Sequence, residues 1–89
     1  MYKILRKEKL AENIYLMDIH APRVAASAHP GQFIILRSTP EGERIPLTIS
    51  DYDIERGTVQ IVVQTLGVST LKLAEKQEGE CVEDFAGPL

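Results

Sequence analysis

Glu43-Arg44-Ile45-Pro46-Leu47-Thr48-Ile49-Ser50 is a charged pair followed by an apolar run that carries a proline and two hydroxyls. The run reads as a strand, the fourth in the chain. Proline cannot donate to a sheet ladder, so Pro46 belongs on an edge or at an interruption. An interrupted strand leaves backbone groups for something else to bind, and a ligand is one candidate. An ordinary edge strand with a bulge is the other.

The neighbouring segments carry the same strand character. Thr58-Val59-Gln60-Ile61-Val62-Val63-Gln64-Thr65 follows an acidic turn over 51–57 and alternates well. Val59, Ile61 and Val63 share one face, and Gln60, Val62 and Gln64 share the other. Gln32–Ser38 precedes the opening stretch, after the strong turn signal Pro30-Gly31. Tyr2–Leu10 and Ile14–His20 form a hairpin across the short turn 11–13. Arg23–His29 is rich in alanine and reads as a loop or a short helical turn. Beyond the fifth strand, Ser69–Lys76 reads as a short helix with Ser69 at its N-cap, Leu71 and Ala74 on one face and Gly79 as its stop. Lys72 stands where a capping box needs Glu or Gln. Cys81–Phe85 is a sixth strand. Six strands and one short helix before the last strand, with turns every 8 to 12 residues or so, predict an all-β fold. Its architecture is a six-stranded antiparallel Greek-key barrel.

The chain has 89 residues, 44% of them apolar, which suffices for one small domain and its core. Its formal charge of −3, with Lys and Arg scattered, excludes the basic stripe of a nucleic-acid binder. No apolar run approaches membrane-spanning length, so no membrane partner is expected. The N-terminus lacks the apolar region of a signal peptide, and the expected location is the cytoplasm. One cysteine, Cys81, allows no internal disulfide and no iron–sulfur cluster held by this chain alone.

Catalytic groups are scarce. His20 and His29 have no partner at metal-ligand spacing and read as structural or solvated. Asp51, Asp53 and Glu55 lack the glycine and the later bidentate glutamate of a calcium loop. No nucleophile–base pair is visible, so a hydrolase has no support. The second candidate binding element is Gly67-Val68-Ser69-Thr70. There a glycine links a strand to a helix, and free amides and the positive end of the helix dipole suit a phosphate. A plain N-cap after a turn is the alternative. If the fourth and fifth strands are neighbours, the two candidate elements together suit an extended nucleotide cofactor.

The ordered set Pro30-Gly31-Gln32-Phe33, Arg44-Ile45-Pro46-Leu47-Thr48, Val62-Val63-Gln64, Gly67-Val68-Ser69-Thr70 with Leu73, and Gly87-Pro88-Leu89 resembles the flavin-binding barrel of the ferredoxin–NADP reductase superfamily. Within it, the chain is most similar to the electron-transfer subunits related to dihydroorotate dehydrogenase, sulfide dehydrogenase and the alpha subunit of NADH-dependent ferredoxin–NADP oxidoreductase. The resemblance implies that residues 1–89 are an FAD-binding barrel domain of a longer protein. Its NAD(P)-binding domain and the cysteines of its 2Fe-2S cluster lie outside these residues. It implies a flavin passing electrons between NAD(P)H and an iron–sulfur or ferredoxin partner, and a catalytic partner subunit. By the family motif, Thr48 lies near the flavin ring beside Pro46, and Leu47 packs on the ring. Val62, Val63 and Gln64 run along the cofactor, while Gly67, Ser69 and Thr70 hold phosphate. Ile45 falls where the motif has its arginine, with Arg44 one residue early. Either a bulge near Pro46 brings Arg44 back, or the pyrophosphate relies more on the helix. An apolar face covered by the next domain would otherwise favour self-association. The competing reading is a small β-barrel protein-interaction module without flavin.

Overall fold

The computed structural model describes residues 2–89. Its strands are β1 (Tyr2–Ala11), β2 (Ile14–His20), β3 (Phe33–Arg37), β4 (Ile45–Asp53), β5 (Thr58–Gln64), β6 (Cys81–Val82) and β7 (Asp84–Ala86). Two helices accompany them, α1 (Pro22–Ser27) and α2 (Val68–Glu75). All pairings are antiparallel, and the strand order is β6-β1-β2-β5-β4-β3-β7. Consecutive β3, β4 and β5 lie side by side, and β2 returns beside β5, which is Greek-key order.

The alternation read from the sequence sets the core. Val59, Ile61 and Val63 are fully buried, together with Met17 and Ile19 on β2 and Ile34 and Leu36 on β3. Burying each such side chain contributes roughly 1.5–3 kcal/mol. The β1–β2 hairpin closes on Ala11 opposite Ile14, with Asn13 in the left-handed region at φ 64°. A short polar side chain tolerates that conformation.

The structure corrects the expected count of six strands and one helix. The segment read as one sixth strand is two, broken at Glu83. β6 pairs with β1 (Tyr2 opposite Val82), and β7 pairs with β3 (Leu36 opposite Phe85). The Glu83 N–H donates to the Arg37 carbonyl at 2.8 Å. The break is the closure itself: β6 and β7 lie on the two open edges of the sheet, and one straight strand cannot ladder with both. The alanine-rich stretch forms α1, with Pro22 in its first turn, where a missing N–H costs nothing. Val24 and Ala25 of α1 are buried.

Helix α2 starts earlier than expected. Its N-cap is Gly67, not Ser69, and its buried residues are Leu73 and Ala74. Leu71, read as part of the inward face, is 51% exposed. Strand β4 runs on to Asp53, so the turn after it shrinks to Ile54–Gly57. A register shift between Ile49 and Asp51 marks a bulge at Ser50. Among the described residues no helix is long and apolar enough to cross a membrane.

Candidate functional site

Strand β4 changes partners along its length. Ile45–Thr48 pair with Leu36–Phe33 of β3, while Ile49–Asp53 pair with Ile61–Thr58 of β5. The next residues of β5, Val62–Gln64, pair only with β2 among the described residues. The two strands therefore separate between Thr48 and Val62, and the edge of β4 that faces β5 is open over Ile45–Thr48. The direction of the amides explains why Pro46 is tolerated there. The Ile49 N–H donates to the Gln32 carbonyl at 2.8 Å, on the β3 side. Successive N–H groups of a strand point to alternate edges. Residues 46 and 48 thus face the open edge, where Pro46 deprives no ladder of a donor and the Thr48 N–H is presented outward.

Side-chain directions follow the same parity. Ile45 and Ile49 point into the core and Leu47 packs against it, while Pro46 and Thr48 are exposed. Ile45, at the position of the family's arginine, is thus a core residue. The ladder through Pro46 is regular, so the bulge considered near Pro46 is absent there and lies at Ser50. Arg44 precedes β4 with its side chain 65% exposed, and its guanidinium lies 3.7 Å from Asp84 Oδ2. The same carboxylate oxygen holds Arg37 at 2.7 Å.

The segment after β5 comes back to this edge. Glu43, Arg44, Ile45 and Pro46 on one side, and Leu66 to Thr70 on the other, line a single groove of about 520 Å³. The two elements singled out in the sequence therefore face each other, and Arg44, Pro46, Gly67, Ser69 and Thr70 meet in one place. Val62 and Gln64 lie on the exposed face of β5. Val63, between them, is fully buried, so its side chain belongs to the core.

The start of α2 is locked by Thr70. Its hydroxyl accepts from the Leu66 and Gly67 amides at 2.9 and 3.1 Å and donates to the Gly67 carbonyl at 3.1 Å. This is the half of a capping box in which the third helical residue reaches back to the cap. Counted from Ser69 the box position falls on Lys72; the true cap is Gly67, which offers no side chain to announce it. Leu71 is the first residue whose amide bonds within the helix, to the Gly67 carbonyl at 2.9 Å. The amides of Val68, Ser69 and Thr70 head the helix without intrahelical acceptors. Ser69 Oγ donates to Glu43 Oε2 across the groove at 3.2 Å.

From the sequence, Glu43 is only the charged entry to the β4 stretch and Asp84 only part of the last strand; neither carries a site role there. Asp84 is far from Arg37 and Arg44 along the chain, so only closure of the barrel reveals their association. The histidines stay apart from this groove: His20 is an exposed strand end, and the His29 amide donates to Gln32 Oε1. Among the described residues no cluster of three or more His, Cys, Asp or Glu side chains is arranged for a metal ion.

No protein-family model matches the chain. It is 62% identical over 89 residues to an uncharacterised protein from the adh 3′ region of Clostridium beijerinckii, covering all of this chain and 30% of that one. It is 42% identical over 87 residues to a dihydroorotate dehydrogenase B (NAD(+)) electron transfer subunit homolog of Thermotoga maritima, covering 98% of this chain and 31% of that one. Its fold superposes with a TM-score of 0.95 and 41% identity on the structure of an NADH-dependent reduced ferredoxin-NADP oxidoreductase, covering 99% of this chain and 32% of that one. The chain thus spans about a third of the length of the relatives it matches.

Proposed function

We propose that this chain, a barrel of the ferredoxin–NADP reductase superfamily, binds FAD along the open edge of β4 and serves as the flavin domain of an electron-transfer subunit. The observation that carries this reading is the meeting, in one groove, of an unpaired strand edge and the amide-rich start of a helix. The residues present fit the group. An extended dinucleotide needs an edge to lie against, an anion site for its pyrophosphate and a cation nearby. The β4 edge, the Val68–Thr70 amides and Arg44 supply these in that order.

In this arrangement Thr48 would offer its outward amide and hydroxyl to the flavin ring. Pro46, with Val62 and Gln64 on the exposed face of β5 and the backbone of Val63, would hold the ring and its chain. Leu47 supports the site from the core side, since its side chain packs inward. Gly67 and Ser69 border the phosphates together with Arg44, and Thr70 holds their turn in shape. The flavin supplies the redox chemistry, taking electrons as a pair and releasing them singly, while the protein positions it and sets its potential. Residues 1–89 are then one domain of a longer protein. An NAD(P)-binding domain, a 2Fe-2S cluster and a catalytic partner subunit belong to the whole, and the cytoplasm is its location. The exposed Leu66 and Val68 support a neighbouring domain covering the far end of the groove.

The test is a titration of the chain with FAD, FMN and riboflavin, followed by flavin fluorescence and thermal unfolding. Saturable binding in the order FAD over FMN over riboflavin, with unfolding raised to match, supports the reading. A folded chain that binds none of the three overturns it for these residues.

A further inference from the structure

We infer that Glu43 opposes an anion at the start of α2, its carboxylate lying against the Ser69 hydroxyl in the first turn of the helix. The inference rests on the flavin reading above and concerns how that site is tuned. Glu43 lies 26 residues from Ser69 in sequence, yet its Oε2 accepts the Ser69 hydroxyl at 3.2 Å across the groove. Ser69 is the second residue of α2, so this carboxylate sits at the positive end of the helix dipole. The Leu66 and Gly67 amides are already held by Thr70. The donors that remain for an anion are those of Val68, Ser69 and Thr70, beside the oxygen that Glu43 now contacts.

The surroundings give the carboxylate another place to go. Glu43 and Ser69 also line an adjoining cleft of about 210 Å³ shared with Glu41 and Lys72. Moving from Ser69 toward the Lys72 ammonium exchanges one polar neighbour for another. Arg44 acts in the opposite sense to Glu43 on the same groove. Two adjacent residues of one loop thus set affinity between them, one attracting the phosphates and the other opposing them.

The test uses Glu43→Gln, which keeps an oxygen to accept from Ser69 and removes only the charge. FAD binding tightens roughly three- to fivefold, the upper end of what one partly screened charge contributes at an exposed site. Riboflavin, with no phosphate, binds both forms within about twofold. The FAD gain shrinks as salt rises from about 0.15 to 1 M, because the screening length falls from about 8 to 3 Å. Glu41→Gln, at the adjoining cleft, leaves FAD binding within about twofold. If the wild-type chain binds FAD and Glu43→Gln binds it equally or more weakly, the role of Glu43 is refuted and the flavin reading stands. An equal gain with riboflavin, or with Glu41→Gln, refutes it too, since the effect is then not local to the phosphates. If neither form binds FAD, both the flavin reading and this inference fall.

Discussion

Replacing Thr70 with valine separates two roles for one hydroxyl. The side chain keeps its branched shape, so packing is nearly unchanged, but three hydrogen bonds disappear, at 2.9, 3.1 and 3.1 Å. Each is worth about 0.5–1.5 kcal/mol net when buried. The turn is solvent-facing, and water replaces part of the loss, so the sum falls near the value of a single helix cap, about 1 kcal/mol. For a domain of this size that lowers the melting temperature by roughly 4–8 °C. An eight-residue helix has little intrinsic stability, so its first turn loosens and the amides of Val68–Thr70 lose their fixed direction. FAD affinity then falls together with stability, and Thr70→Ser restores both. Urea unfolding by circular dichroism, with and without FAD, reads both quantities. If Thr70→Val unfolds at the wild-type urea concentration, the locking argument is wrong. A loss of FAD affinity alone would instead make the hydroxyl a direct phosphate donor.

Three further outcomes follow from the same geometry. Thr48→Ala, at an exposed position on the open edge, leaves the unfolding free energy from urea titration within about 0.5 kcal/mol of wild type and weakens FAD binding about fivefold, read by fluorescence titration. Gly57→Ala places a Cβ 3.2 Å from Pro22 Cβ and Cγ at φ 68°, and destabilises the barrel by about 1–3 kcal/mol in chemical denaturation. Asp84→Asn removes the charge that holds Arg37 at 2.7 Å and stands 3.7 Å from Arg44; it costs about 1–2 kcal/mol of stability, and a double-mutant cycle with Arg37→Gln recovers most of that as coupling.

Local patterns made the sheet legible. Val59, Ile61 and Val63 share one face of β5 and are all fully buried, while Gln60, Val62 and Gln64 on the other face are not; Thr58 at the strand's start is the exception, a buried polar residue on that second face. The hairpin of β1 and β2 needed only a two-strand pattern and a short turn. What escaped depends on the chain meeting itself. Cys81–Phe85 has the composition of one strand, and only the positions of β1 and β3 at opposite sheet edges divide it at Glu83. Hydroxyls mark N-caps in sequence, and that points to Ser69 as the start of α2. The cap is a glycine, and its bonds come from Thr70 three residues on. The site was legible as two separate elements, at Pro46 and at Gly67. Their shared groove, and the opposition of Glu43 to Ser69, required the fold.

The position of the groove follows from the way the barrel closes. Strand β4 lies between β3 and β5, and it ladders with β3 through Thr48 and with β5 from Ile49 onward. A strand that hands over from one neighbour to the other leaves one edge unpaired on each side of the switch. A sheet edge of that kind is normally a hazard for aggregation and is blunted by proline, charge or a covering segment. Here Pro46 takes the edge position where its missing N–H is harmless, and the turn 66–70 covers the far end. The unpaired edge thus persists in a form that other strands are poorly placed to use. The closing segment bears on the same place, because Asp84 of β7 reaches both Arg37 of β3 and Arg44 at the rim of the groove. Closure and the rim of the groove are therefore coupled through a single carboxylate. Whatever weakens the docking of β7 on β3 also releases the arginine proposed to steady the phosphates.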